Sequence, residues 1–586
     1  MDEKAPCVLG EPVMKQTSNP EALLAPGQFS KIYHSESFKP ERNDEMKSTK
    51  KLLAFLLVAM MIVAMLPNAL AATVTIPSDS ILSGHSFTAY QIFAGNESEG
   101  ALQNVVWGSG IDSDALLTAL KADTTYGSFF STCADAAAVA KVLADNNTNG
   151  GLANAFAKLA HANKTGTGTA LTVGTTDLPG GYYLIVDTTN DVGEGGAYNA
   201  SLLQVVGDIR IDVKTAAPSV EKKVLEDDKY NQDGGYGTGY NDVADYNIGE
   251  AVTFHLIGLV PDMSRYDTYK YIFHDTLSAG LTLNEGSIKV YVASDKAGTD
   301  KAEITTGWTR GTPAAGESFT VSFDDLKTVS GVTQGKYIIV EYTATLNTGA
   351  VIGLDGNPNT VYLEYSNKPN QSAAGDTDNT GNTPKDKVIV FTYELDTTKV
   401  DGQDTSKKLK DAKFVLLNAD ATKVAKISGG KFDGWQNLPA AGEGGVIAAD
   451  SWASDSVLTS AETTGLFSVT GLDAGTYKLR EIVAPAGYNL LSQDITVVIT
   501  AVTANGQTWG GTASDALTGL SVKADETNGT GDTSTGIASI TIANNKGNTL
   551  PETGGIGTTV FYVLGSILVI GAVVLLVSKK RMNAIE

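Results

Sequence analysis

Apolar residues along this chain fall into short, β-branched or aromatic runs: Gly181-Tyr182-Tyr183-Leu184-Ile185-Val186, Ala251-Val252-Thr253-Phe254-His255-Leu256, Lys336-Tyr337-Ile338-Ile339-Val340-Glu341-Tyr342 and Lys387-Val388-Ile389-Val390-Phe391-Thr392-Tyr393. Gly, Asn, Asp and Pro bound them, which predicts strands. Many short strands with such turns predict tandem immunoglobulin-like β-sandwiches. One stretch departs from the pattern. The alanines of Asp135–Ala162, with Val139, Leu143, Leu152, Phe156 and Leu159, predict one or two short helices inside the first domain, split near Asn146–Gly151. Domain boundaries are expected near Lys214–Pro218 and Thr383–Thr398, where a strand run ends in polar or proline-containing sequence. Residues 368–386, rich in Asn, Gly, Asp and Thr, predict an exposed loop.

Two longer apolar runs lie near the ends. Leu52–Leu66 follows Lys47, Lys50 and Lys51 and precedes small residues at Ala69 and Ala71. This is the layout of a signal peptide, here residues 46–72, cleaved after Ala71 or Ala72. Residues 1–45 are polar and aperiodic and precede Met46, so they are expected to be a leader that is not translated or not translocated. At the other end Val560–Val577 is long enough to span a bilayer. Lys579, Lys580 and Arg581 would hold the tail in the cytoplasm. Leu550-Pro551-Glu552-Thr553-Gly554 stands just before the span. Pentapeptide, span and basic tail together resemble the sortase cell-wall sorting signal of Gram-positive surface proteins. The resemblance implies that a sortase cysteine attacks the Thr553 carbonyl, cuts before Gly554 and holds an acyl-enzyme until an amine releases it.

Composition narrows the reading. The 586 residues suffice for three or four domains. A formal net charge of −23 disfavours nucleic acid as a partner and suits solubility. Cys7 precedes the export signal and Cys133 is then alone, so an exported chain of this kind has no disulfide framework. No nucleophile–His pair, metal cluster or phosphate loop stands out, so neither enzyme activity, a cofactor nor a metal is expected.

Tyr477-Lys478-Leu479-Arg480-Glu481-Ile482-Val483-Ala484-Pro485-Ala486-Gly487-Tyr488 resembles the "E-box" of collagen-adhesin type B (Cna-B) domains. Thr398-Lys399-Val400-Asp401 looks like the first strand of such a domain, and Ile542-Ala543-Asn544-Asn545-Lys546-Gly547 like the last. The resemblance implies a Lys399–Asn544 isopeptide bond assisted by Glu481, with Asn545 the alternative acceptor. The chemistry is sensible for a dry core. Burial lowers an amine's pKa and frees the neutral nucleophile, while a buried carboxyl stays protonated and can shuttle protons as ammonia leaves. Alternation puts Tyr477, Leu479 and Glu481 on one face, toward the core, and Arg480 toward solvent.

Residues 218–395 resemble the collagen-adhesin type A variant of shaft pilins. The matching pieces are Pro218-Ser219-Val220-Glu221-Lys222-Lys223-Val224, Phe273-His274-Asp275-Thr276-Leu277-Ser278-Ala279-Gly280-Leu281 and Val361-Tyr362-Leu363-Glu364-Tyr365-Ser366-Asn367-Lys368-Pro369. The resemblance implies Lys222 as nucleophile, Asp275 as acid and Asn367 as acceptor, with Asn359 the alternative acceptor. Lys222 shares a face with Val220 and Val224, so Lys223 is expected to face out.

Shaft pilins carry a Tyr-Pro-Lys-Asn motif whose lysine attacks the sortase-bound threonine of the next subunit. At the matching place stands Ile209-Arg210-Ile211-Asp212-Val213-Lys214-Thr215-Ala216-Ala217-Pro218, with Lys214 in register but without Tyr, Pro or Asn. Thr215 replaces the asparagine that closes a first-domain bond in some relatives, so none is expected there. The resemblance implies the following organisation: an N-terminal pilin domain over 73–214, a Cna-A-like domain over 215–395, a Cna-B-like domain over 396–548 and the sorting signal over 550–586. The implied function is a pilus backbone subunit on the cell wall. Its partners would be pilin-specific and housekeeping sortases, other copies of itself, tip or basal minor pilins and peptidoglycan. A wall-anchored adhesin is the alternative, and no receptor is legible.

Overall fold

The computed structural model describes residues 72–76, 84–98, 101–198, 202–205, 209–210, 217–369, 380–442, 445–507, 509–547 and 556–582. The signal peptide but for Ala72, Lys214 and Leu550–Gly554 lie outside the described residues. The chain is mainly β, with short helices near its start and a long apolar helix at its end.

In the first region, helices Ala136–Asp145 and Gly150–Ala162 occupy the stretch expected to be helical. Each starts where a side chain caps it: Asp135 accepts from the Ala138 N–H and Asn149 from the Leu152 N–H. Val139, Leu152 and Phe156 are buried against the strands Phe87–Ser98 and Gly181–Asp187, with the Phe156 ring 6.1 Å from that of Phe93. A further helix, Ser113–Ala122, is capped by Asp112 and was not expected from the sequence. It buries only Leu116 and Leu120, too thin a stripe to stand out. Cys133 is buried and free.

The second region is a two-sheet sandwich. Strand Val220–Leu225 lies beside Ala251–Leu259, which pairs antiparallel with Tyr337–Leu346. The facing sheet places Asn357–Ser366 between Asp386–Phe391 and Tyr271–Leu277, and the latter pairs with Phe319–Phe323. Alternate residues of both sheets point inward and form one core: Val224, Phe254 and Tyr342 from one, Phe273, Phe319 and Leu363 from the other. Part of the stretch expected to be an exposed loop is strand instead. Thr380–Asn382 pairs with Glu364–Ser366, and Thr383 is buried, its hydroxyl accepting the Leu363 N–H at 3.0 Å. Backbone pairing and that one hydroxyl outweigh the polar composition.

The run Lys387–Tyr393 is likewise divided. Asp386–Phe391 closes the second region and Tyr393–Asp401 opens the third. In the third region the first strand runs parallel to the last, Ile537–Asn544, with Lys399 opposite Ile542 and Asp401 opposite Asn544. The second and third regions dock closely. The Asn241 amide donates to the Ala504 carbonyl at 3.1 Å, and Asn247 Oδ1 accepts from the Asp473 N–H and the Tyr477 hydroxyl. Gly471, at φ +91°, lies where any side chain would strike Ile248. Helix Ile556–Met582 contains 23 residues, Val560–Met582, of mean hydropathy 2.8, long and apolar enough to cross a membrane, with Lys579, Lys580 and Arg581 in its last turn.

Candidate functional sites: two buried lysine–acid–asparagine clusters

In the third region alternation works as the sequence suggests. Tyr477, Leu479 and Glu481 of Thr476–Val483 are buried, while Arg480 turns the other way and grips Asp494 through two bonds of 2.7 and 2.8 Å. Lys399, Glu481 and Asn544 meet in the core, and Asn545 is exposed. The Lys399 ammonium donates to Asn544 Oδ1 and, at 3.1 Å, to the Ile542 carbonyl. Both Glu481 oxygens accept from Asn544 Nδ2 at 2.9 Å, and the Asn489 carbonyl accepts from the same nitrogen. The Leu491 N–H fixes Glu481 by donating to Oε2 at 2.8 Å. Burial lowers the Lys399 pKa to about 8, against the pull of the Glu481 charge. A nucleophile therefore touches one end of a carboxamide whose leaving nitrogen is held by an acid.

That pKa sets an expected pH dependence. A base with a lowered pKa is increasingly neutral as pH rises toward about 8. Amide formation at Lys399 in newly folded chain should slow roughly tenfold for each pH unit below that value. Time-resolved intact mass at pH 6 and pH 8 checks it, and a rate that is flat between the two would contradict it.

In the second region the cluster crosses the sandwich. Lys222 comes from the first sheet, opposite Leu256, and Asp275 from the facing sheet, opposite Val361. Both are fully buried, and the ammonium donates to Asp275 Oδ2. Burial lowers the Lys222 pKa, opposed by Asp275, and burial raises that of Asp275, opposed by Lys222. Both shifts favour a neutral amine beside a neutral acid.

The structure does not bring Asn367 to this pair, which corrects the expectation. Asn367 lies six positions beyond Val361, the partner of Asp275, just past the end of Asn357–Ser366 and about 20 Å away. Its carbonyl instead accepts the Tyr198 N–H of the first region at 2.9 Å. Asn359 stands two positions from Val361 on the same face, opposite Leu277, and is fully buried. Its Nδ2 donates to the Tyr342 hydroxyl at 2.7 Å, and that hydroxyl also touches Lys222 Nζ and Asp275 Oδ2, each at 3.0 Å. Tyr342 was invisible in sequence because an aromatic in a strand run reads as ordinary core. Lys223 is also corrected. It points to the opposite face as expected, but it is buried there, paired with Asp242 at 2.5 Å and lying over the Tyr236 ring.

Among the described residues one group has spacing that could share a cation: Glu226, Asp227 and Asp228. Glu226 already accepts the backbone N–H groups of Asp228, Lys229 and Asp245, and Lys229 supplies the positive charge, 2.6 Å from Asp245.

Comparison with known proteins bears on both ends of this arrangement. Residues 393–510 match the SpaA family, a prealbumin-like fold domain, and residues 542–583 match the LPXTG cell wall anchor motif. The trypsin-resistant surface T6 protein of Streptococcus pyogenes serotype M6 is 25% identical over 428 residues, covering 63% of this chain and 70% of that protein. The chain thus pairs a SpaA-type prealbumin-like domain with an LPXTG cell wall anchor motif, the arrangement of a cell-wall-anchored surface protein. Among solved structures, the T6 backbone pilin of the same organism matches with a TM-score of 0.46 and 17% identity, covering 82% of this chain and 99% of that one. The full-length major pilin SpaD of Corynebacterium diphtheriae matches with a TM-score of 0.42 and 17% identity, covering 81% and 98%. The Lys399–Asn544 cluster reaches the start of the matched anchor segment, in which Asn544 falls.

Proposed function

We propose that the chain is the shaft subunit of a covalently polymerised pilus, in which a sortase joins the Thr553 carboxyl to Lys214 of the next copy, and at the base to peptidoglycan. Within each subunit, Lys222–Asn359 and Lys399–Asn544 bonds form without an external enzyme. The observation that carries this reading is the pair of dry Lys–acid–Asn clusters set in series before the anchor. Such groups are costly to bury as polar side chains. Conversion to a neutral amide with loss of ammonia removes the lysine's charge. In the second region Asp275 Oδ1 and Asn359 Oδ1 have no hydrogen-bond partner. Each bond closes a loop of more than a hundred residues, a stabilisation of about 5 kcal/mol in the chain-entropy treatment of cross-links. A chain whose one cysteine within the described residues is free would gain its staples this way.

Pilin-specific and housekeeping sortases, other copies of the chain, minor pilins at tip or base and peptidoglycan are the partners this reading requires. Two measurements test it. Intact mass should fall short of the sequence mass by ~34 Da, ~17 Da of ammonia per bond. Wall extracts should give a ladder of multimers on a denaturing gel, and Lys214→Ala should collapse the ladder. A single wall-linked band from the unaltered chain would favour the second reading, a wall-anchored adhesin. That reading draws on Val213 and Thr215, which flank Lys214 in place of the Pro and Asn of the pilin motif.

A further inference from the structure

We infer that Tyr342 is a catalytic residue of the second-region bond, relaying the proton between Asp275 and the leaving nitrogen of Asn359. The inference rests on the Lys222–Asn359 reading above. It comes from setting the two clusters side by side. In the third region the acid is a glutamate, and both its oxygens touch the leaving nitrogen directly at 2.9 Å. In the second region the acid is an aspartate, one methylene shorter. Its Oδ2 holds the lysine, and among the described residues its hydrogen-bonded route to Asn359 runs through the Tyr342 hydroxyl.

Tyr342 is built for that place. It stands on Tyr337–Leu346, opposite Phe254, and is fully buried. Its ring stacks on Phe254 at 5.4 Å and meets the edge of Phe319 at 4.8 Å, so the phenol has little freedom to swing away. Its oxygen lies 3.0 Å from the nucleophile, 3.0 Å from the acid and 2.7 Å from the leaving nitrogen, all within proton-transfer reach. With the carboxamide turned over, the same hydroxyl would donate to the carbonyl oxygen and polarise it. In either orientation the acid acts on Asn359 through Tyr342.

The step balances. The neutral Lys222 amine attacks Asn359 Cγ, and the new Nζ–Cγ bond forms as the Cγ–Nδ2 bond breaks. One amine proton passes to Asp275, the Asp275 proton passes to the Tyr342 oxygen, and the phenol proton passes to Nδ2. Ammonia leaves, and acid and phenol end as they began.

Tyr342→Phe keeps the ring and removes only the relay. In the full chain, purified in detergent, the Lys222–Asn359 branched peptide is followed by tryptic mapping against time, with Lys399–Asn544 as internal control. Tyr342→Phe should slow the second-region bond at least ~100-fold while the third-region bond completes normally. Asp275→Glu placed on top of Tyr342→Phe should restore it, because the longer acid reaches Nδ2 as Glu481 does. A Tyr342→Phe chain that cross-links at the unaltered rate overturns the relay, as does a double variant that stays unlinked. Absence of the branched peptide from the unaltered chain would instead overturn the second-region bond itself, and the relay with it.

Discussion

Asn359→Ala should remove ~17 Da of the mass deficit, whereas Asn367→Ala should leave the deficit whole. Asn359 lies in Asn357–Ser366 and Asn367 just past its end, so the pair isolates position along one stretch of chain as the cause. Asn359 lies within the network that holds Lys222, and Asn367 is bonded to the first region some 20 Å away. Loss of the cross-link should cost the second region about 5 kcal/mol. In a sandwich of this size that corresponds to a fall of roughly 10–20 °C in its melting temperature. Lys222 and Asp275 remain paired with each other in the variant, so no buried charge is left alone and the cost stays near the cross-link term. Differential scanning calorimetry with intact mass on both variants checks this. A full deficit in Asn359→Ala would reject the assignment, and so would a lost one in Asn367→Ala.

That contrast also marks how far sequence could go. Period-two alternation placed Glu481 inward and Arg480 outward, and set Lys222 apart from Lys223, because each choice concerns adjacent residues on opposite faces. It could not separate Asn359 from Asn367, whose even spacing gives them the same face. Only the register of Asp275 on Val361 decides between them, and register is a property of two strands rather than one. Lys223 shows a second limit. Alternation gave its direction, but its burial comes from Tyr236 and Asp242, which the chain brings over it from outside its strand. Tyr342 shows a third, since a phenol in a hydrophobic strand carries no sign that its hydroxyl will meet a lysine from one strand and an acid from the facing sheet. The helices were legible where an aspartate or asparagine cap preceded a clear apolar stripe, as at Asp135 and Asn149.

The close docking of the second and third regions is a feature that motifs do not reveal. Asp473 of the third region lies 3.6 Å from Lys229 of the second, near Glu226 and Asp245. Burial, reinforced by Asp245, raises Glu226 to about 9, and burial with the same neighbour raises Asp473 well above the usual carboxylate range. Acids with raised folded pKa values bind more protons folded than unfolded, so their contribution to stability falls as pH rises from the unfolded value, near 4, toward the folded one. These two acids therefore contribute most to the stability of the joint in acid.

Under tension the two cross-links should limit extension to very different degrees. A copy joined through Lys214, as proposed, would take load directly into Val220–Leu225 and leave the first region outside the load path. The proposed Lys222–Asn359 bond would shunt that load past everything between these residues. It leaves roughly 30 residues from Asn359 to Phe391 free to peel, about 100 Å of chain. The third region is tighter. Its first and last strands are parallel neighbours, and the proposed Lys399–Asn544 bond would join them near the end from which the anchor departs. Only a few residues on either side remain in the load path, so this region should not lengthen at all. Single-molecule pulling, with handles at position 214 and beyond Gly547, should show no step above about 100 Å in the unaltered chain. Lys399→Ala should add a step of up to about 500 Å, as roughly 150 residues of the third region become extensible. Lys222→Ala should lengthen the second-region step by up to about 470 Å. Long steps in the unaltered chain would mean that the strands alone carry the load. Short steps in both variants would mean that the bonds are mechanically idle.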